Sequence, residues 1–282
     1  DLALICDTGM FDPQTPAITT MLRGLVGEEI VITGPNKDLH SGSFGGAAMN
    51  PARVLARILA DLHDEDGRIT LEGFYDDVPE LSNAQRAQWE NLGFDADGFL
   101  GAVGLKHPAG ERGRSALEML WSRPTCEING MISGYTGAGF KTVLPSRASA
   151  KVSFRLVGQQ DPAKIRAALR KHVEARLPAD CTVDYIDHSA GPASVMATDD
   201  PAFEAARQAL SDEWPRPAAF IGCGGSIPIA GYFKTVLGMD SMLIGYGRDD
   251  DQIHSPNEKY DLESFHKGIR SWARILAALA KA

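Results

Sequence analysis

Residues 148–157 alternate between apolar and polar positions. Ala148, Ala150, Val152, Phe154 and Leu156 share one face; Ser149, Lys151, Ser153 and Arg155 share the other. A period of two predicts a half-buried strand in an antiparallel sheet. Residues 26–34, 126–133 and 181–187 also read as strands. Helical spacing appears twice between them. Val54, Ile58 and Leu62 form one stripe with Leu55 and Leu59 beside it, and a second helix runs from about Asp161, with Pro162 in its first turn, to about Arg176. The order β-α-β-β-α-β is the split βαβ arrangement of a ferredoxin-like sandwich. A stretch of mixed helical and polar character, roughly 65–122, interrupts it.

The pattern changes after Gly191. A helix near 200–213 leads to a strand near 218–222, a Gly-rich turn and a helix begun by Pro228. An apolar strand from Ser241 to Ile244 follows, and Asp261 can cap a last helix whose Phe265, Ile269, Trp272 and Leu276 mark one face. Alternating strands and helices predict an α/β unit with a mainly parallel sheet. The opening strand, ending at Asp7, belongs to the same unit. The expected organisation is therefore an α/β domain in two pieces, 1–22 and 191–282, with a ferredoxin-like α+β domain, 23–190, inserted between them. The chain opens on a buried-strand pattern without an initiator Met. Natural termini are seldom central strands, so we expect a fragment lacking an N-terminal part.

Composition narrows the function classes. A net charge of −9 argues against a nucleic-acid partner, which favours a basic face. Cys6, Cys126, Cys181 and Cys223 are scattered, with no CxxC pair. That spacing excludes a cysteine-rich zinc ribbon and suits a reducing compartment, the cytoplasm. No apolar run reaches membrane-span length, and no secretory leader pattern opens the chain.

The candidate chemistry lies in short segments. Asp7 closes a strand, where α/β proteins place ligands, although it also reads as a turn-capping residue. His254 follows another strand in the acidic loop GYGRDDDQIHSPNEKY, which reads equally as a solvated surface loop. Imidazole and carboxylate are catalytic zinc ligands, and these two would share one sheet edge. Residues 222–228, GCGGSIP, combine exposed backbone N–H groups with a helix start, an arrangement suited to an anion or equally to a tight turn. Residues 134–142 contain three glycines and a lysine. Phe140 separates Gly139 from Lys141, however, and an extended Val143-Leu144-Pro145 follows, so a phosphate loop is not expected. Arg155, on a polar strand face, could clamp a carboxylate with two hydrogen bonds or be an ordinary surface arginine. His40, in DLHSG, could be a turn residue.

ICDTGMFD, KDLHSGSFGG, SGYTGAGFKTVLP, CGGSIP and the His254 loop occur in an order that resembles M20-family zinc peptidases of the carnosinase-like branch. The resemblance implies a metal-dependent hydrolase cleaving dipeptides or small peptides with a free C-terminal carboxylate. It implies two zinc ions per subunit, with manganese or cobalt as alternatives, and a homodimer formed through the inserted lid domain. Asp7 would ligate one zinc and His254 the other. His40 would reach the neighbouring subunit's active site and steady the oxyanion. Thr142 and Arg155 would bind the substrate's carboxylate, and the Gly225-Ser226 loop the same end. The family's remaining ligands, an H-x-D, a bridging Asp and a Glu-Glu pair whose first Glu is the general base, would lie upstream of Asp7. Glu28-Glu29 follows Asp7, in the first lid strand, and is no substitute. Cys223 stands where the family motif often has Glu. Two alternatives remain: an M20 amidase or deacylase acting on N-acyl or N-carbamoyl amino acids, and a non-catalytic dimerising protein that binds carboxylates.

Overall fold

A computed structural model describes residues 1–281. In chain order the strands are β1 (Leu2–Ile5), β2 (Ala17–Leu22), β3 (Gly24–Thr33), β4 (Leu39–His40), β5 (Thr125–Ser133), β6 (Val143–Leu144), β7 (Arg147–Leu156), β8 (Thr182–Gly191), β9 (Ser194–Val195), β10 (Ala219–Cys223) and β11 (Asp240–Leu243). The α-helices are α1 (Ser41–Phe44), α2 (Pro51–Ala60), α3 (Asn83–Asn91), α4 (Ala96–Gly101), α5 (Ala116–Trp121), α6 (Pro162–Glu174), α7 (Pro201–Ser211), α8 (Pro228–Leu237) and α9 (Leu262–Leu279). The chain forms two compact units, one from residues 1–22 and 194–282, the other from residues 23–193.

The 23–193 unit is built on an antiparallel sheet in the order β5-β7-β3-β8. The alternation along β7 does what a period of two requires: Ala148, Ala150, Val152, Phe154 and Leu156 are buried, and they share a core with Val54, Leu55 and Ile58 of α2 and Ile165 and Leu169 of α6. Both helices start where the sequence signals: the Asn50 and Asp161 side chains accept the backbone N–H two residues on, and a proline follows each. The interrupting segment holds α3, α4 and α5. A buried ion pair, Arg123 with Glu111, ties together its polar interior.

Glu28 lies on the core face of β3 and is fully buried. Two arginines of α6 meet its carboxylate oxygens. Arg166 Nε donates to Oε2 at 2.6 Å, and Arg170 donates to Oε1 from Nε at 2.9 Å and Nη2 at 2.6 Å. The pairing fixes which turn of α6 sits over β3.

The other unit has a mixed sheet in the order β1-β11-β2-β10, with β9 beside β2. β1 runs parallel to β11 and β10 parallel to β2, but β11 and β2 are antiparallel. The expectation of a mainly parallel sheet is thus corrected. It overlooked β2, whose nearly unbroken buried run, Ala17 to Leu22, carries no periodic signal.

The α9 face marked by Phe265, Ile269, Trp272 and Leu276 meets the core only through Trp272, which packs partly against it. Phe265, Ile269 and Leu276 are exposed, and the buried positions are Ser264, Gly268, Ser271 and Ile275. The helix lies too close to the core for large residues: a Cβ on Gly268 would come within 2.6 Å of the Tyr246 ring. Tyr246 itself stacks on Trp214, whose indole N–H donates to Ser271 Oγ at 3.0 Å. Close approach thus reverses the usual reading, in which the larger apolar stripe marks the inside.

Glu28→Ala would remove the buried acceptor shared by the two arginines, leaving them Asp187 and the Gly27 and His188 carbonyls. Because both arginines reach solvent, the loss should be near the lower end of the range for a broken buried pair, about 3 kcal/mol. Urea unfolding of the two proteins measures it, and an unchanged midpoint would mean that the cluster contributes nothing to stability.

Candidate functional site

In the 1–22 and 194–282 unit, the parallel pairing of β1 with β11 sets the site. Both strands end at the same edge, so the segments leaving them run side by side: Gly9 bridges Gly247, and Met10 N–H donates to the Gly247 carbonyl at 2.9 Å. The approach is close enough that a Cβ on Gly245 would fall 1.7 Å from the Thr8 carbonyl oxygen. Asp7 lies on the first segment, and the second continues into the loop of His254. Both residues are exposed.

The His254 loop is locally strained and firmly rooted. Gln252, His254 and Asn257 all have left-handed backbone, with φ of 55°, 61° and 63°. Each such non-glycine residue costs roughly 1–3 kcal/mol, a cost that persists where the surroundings over-determine the chain. The surroundings here are ionic. The Asp251 carboxylate, buried, accepts from the Arg248 N–H at 2.8 Å and from Lys259 Nζ at 2.8 Å. The Arg248 guanidinium in turn donates to Ser264 Oγ and Asp261 at the start of α9. Burial disfavours ionised Asp251, but the bonds from Lys259 and the Arg248 N–H outweigh it and hold the carboxyl below its ordinary range.

Catalytic zinc takes three protein ligands. Among the described residues, no three His, Cys, Asp or Glu side chains come together to hold a metal ion. The segments leading to Asp7 and to the His254 loop leave the same edge, but the described residues do not complete a metal site there.

The GCGGSIP turn leaves the C-terminal end of β10. Because β10 runs antiparallel to β11, this turn emerges at the edge of the sheet opposite Asp7. α8 begins at Pro228 as the sequence signals, and its N-cap Ile227 supplies no side-chain cap. The Gly225 N–H, one of the donors expected at a substrate carboxylate, instead donates to Cys223 Sγ at 3.3 Å. The thiol at the family's Glu position thus occupies a loop donor.

In the 23–193 unit, His40 and Thr142 come together. β4 and β6 form a separate ribbon, pairing Leu39 with Leu144 and His40 with Val143, and Ser41 N–H donates to the Thr142 carbonyl at 2.9 Å. His40 is exposed and caps α1: its Nδ1 accepts the Gly42 N–H at 3.0 Å. A neutral imidazole accepting at Nδ1 carries its proton on Nε2, so His40 offers an outward N–H donor. Arg155 is half-buried on the β7 face turned away from α2 and α6. It lies eight positions along the strand from Arg147, the end where the ribbon departs. That is about 26 Å at the usual strand rise. Arg155 and the residue from which the ribbon departs thus lie near opposite ends of β7.

Asp38 and Ser146, absent from the candidate residues of the motifs, join the two sides of this ribbon. The signal was present: Asp38 stands two residues before His40 in the same short motif.

Comparisons with known proteins agree with this architecture. Residues 20–181 match the M20 peptidase dimerisation domain. The Cys-Gly metallodipeptidase DUG1 of Saccharomyces cerevisiae is 31% identical over 98% of this chain and 58% of its own length. The human Beta-Ala-His dipeptidase is 27% identical over 100% of this chain and 56% of its own. The structure of the M20 family metallo-carboxypeptidase Sso-CP2 from Sulfolobus solfataricus superposes with a TM-score of 0.85 at 30% identity, covering 97% of this chain and 62% of that one. The chain thus spans somewhat under three fifths of the length of these curated relatives.

Asp251→Asn should loosen the His254 loop, since charge-assisted hydrogen bonds contribute about 1.5–3 kcal/mol. Because the folded carboxyl titrates below its ordinary value of 3.8, the wild-type contribution is present in full above that value and is lost as pH falls through the lower folded one. Amide exchange across 248–260 should accelerate in the variant at neutral pH, and in the wild type only in acid. Equal protection in both proteins at neutral pH would remove Asp251 from this role.

With a dimerisation-domain match across more than half of its residues, the chain belongs to the M20 peptidase family.

Proposed function

We propose that this chain carries the lid and the C-terminal catalytic portion of a metal-dependent dipeptidase. Its substrates have a free C-terminal carboxylate, and it works as a homodimer in which each active site draws on both subunits. The observation that carries the reading is the separation within one lid. Arg155 and the His40–Thr142 ribbon belong to opposite ends of β7, about 26 Å apart along the strand. An extended dipeptide spans only about 7 Å. A single substrate that meets all three residues must take Arg155 from one subunit and the ribbon from the other.

Within such a site the residues divide the work by their chemistry. The Arg155 guanidinium and the Thr142 hydroxyl hold the carboxylate and so set the register of the scissile bond. The His40 ring, whose Nδ1 is engaged by the Gly42 N–H, offers Nε2–H to the oxygen that gains charge during amide cleavage. Asp7 and His254 serve metal binding. Zinc is the metal we favour for them, with two ions in the intact enzyme, although residues 1–281 form only part of that site. The edge strand β5, with Ile128, Met131 and Ile132 exposed, is the surface we assign to lid pairing. Four free thiols support a reducing compartment such as the cytoplasm. The relatives' names describe dipeptidases, which favours peptide over N-acyl amino acid substrates.

Two experiments on the intact enzyme test this. Arg155→Ala should lower kcat/KM about 10- to 100-fold for free dipeptides, the loss expected of a charge-assisted bond, and far less for C-terminally amidated ones. Equal losses on both would take Arg155 off the carboxylate. His40→Ala and Arg155→Ala homodimers should each be nearly inactive. Mixed one to one with free exchange, they should regain about a quarter of the wild-type rate, because half the dimers are mixed and each mixed dimer holds one whole site. No recovery despite proven exchange would place both residues in the same subunit's site.

A further inference from the structure

The ribbon carrying His40 and Thr142 is too short to hold its own register. β4 and β6 contribute two residues each. Even a complete two-stranded hairpin is marginal in water. These strands are not joined by a turn at all, because more than a hundred residues of chain separate them. Something outside the ladder must fix how β4 lies against β6.

The clamp is one residue before β4. Asp38 Oδ1 accepts the Ser146 backbone N–H at 2.7 Å and the Ser146 hydroxyl at 2.9 Å. Ser146 lies between β6 and β7, so the carboxylate ties the start of one ribbon strand to the residue just beyond the other. On its far side the Ser146 carbonyl accepts the Gly34 N–H at 2.9 Å. All three polar groups of Ser146 are thereby engaged by residues 34–38. Above the clamp, the Leu39–Leu144 and His40–Val143 pairs and the Ser41–Thr142 bond follow in step. The imidazole is then held by Gly42. The two Ser146 hydrogen bonds hold the Asp38 carboxyl below its ordinary range, as expected where they favour the charged acceptor.

We propose that Asp38 is a positioning residue: through Ser146 it sets the register of the β4–β6 ribbon, and with it the placement of His40 and Thr142. The consequence for catalysis rests on the proposed dipeptidase reading. The consequence for the ribbon does not.

The test has two arms with Asp38→Ala, Asp38→Asn and Ser146→Ala. The first uses residues 1–282 and needs no activity. In alkaline buffer, where imidazole is neutral, proton–nitrogen correlation spectra should show wild-type His40 as the Nε2–H tautomer. Asp38→Ala should give an averaged tautomer and raise Ser41 and Gly42 amide exchange about tenfold or more, with no comparable change at β3 or β7. Asp38→Asn keeps the accepting oxygen and should resemble wild type. Ser146→Ala loses one bond of the two and should fall between. In the intact enzyme, Asp38→Ala should lower kcat/KM roughly 10- to 100-fold, the loss known for small misplacements of catalytic groups, and Asp38→Asn should restore it.

A wild-type His40 tautomer and unchanged exchange in Asp38→Ala overturn the proposal. So does an intact Asp38→Ala enzyme with wild-type kinetics. Exchange protection lost across the whole 23–193 unit in Asp38→Ala and Asp38→Asn alike also overturns it, since Asp38 would then be a general fold determinant. If the intact wild type cleaves no dipeptide, the dipeptidase reading fails, and the first arm still decides whether Asp38 sets the ribbon.

Discussion

Ten consecutive residue pairs between β3 and β7, from Gly24–Leu156 to Thr33–Arg147, hold the lid in a single register, and the functional reading of this unit depends on them. In a sheet, a slip of one residue turns every side chain to the other face. Here it would bury Arg155 and expose Phe154. Long pairing also sets distance. It stiffens β7 along its whole length, so that Arg155 at one end and the departing ribbon at the other are kept apart. The Glu28 cluster reinforces the same register from above, because two arginines of α6 can reach one carboxylate only if β3 presents it at that position.

The α/β unit solves a different problem with different means. Its strands are short, and a short parallel pair places two loops together with little pairing to align them. The alignment comes from close approach at Gly245 and from the bridge between Gly9 and Gly247. The loop beyond is then held in left-handed conformations by the buried Asp251 and its cationic partners. The energetic theme is common to both units. The candidate segments are short or strained, and each is held by a carboxylate to which no binding or catalytic role is assigned: Asp251 under the His254 loop, and Asp38 beside the His40 ribbon.

The ferredoxin-like lid was legible in the residue pattern because its signals are periodic. β7 alternates, α2 and α6 repeat every three to four residues, and both helices carry cap and proline signals. The candidate site residues were read as motif positions. Asp7 and His254 could be assigned to one sheet edge from the rule that α/β sheets bind at strand ends. The sense of the sheet was not legible, since β2 is buried along nearly all its length and gives no period to read.

What the sequence determined by itself was the set of elements and the residue types fit for binding a carboxylate, donating to an oxyanion or ligating a metal. Those follow from local spacing and side-chain chemistry. The tertiary structure decided which of them meet. It turned the small-residue face of α9 inward because that helix approaches Tyr246 too closely for larger side chains. It sent the Gly225 loop to the edge opposite Asp7 because β10 runs against β11. It brought Asp38 to Ser146 across 108 residues of chain. It held Arg155 away from His40 because a ten-residue strand is rigid. Orientation and long-range proximity are set by how elements pack on one another, and no local pattern carries that information.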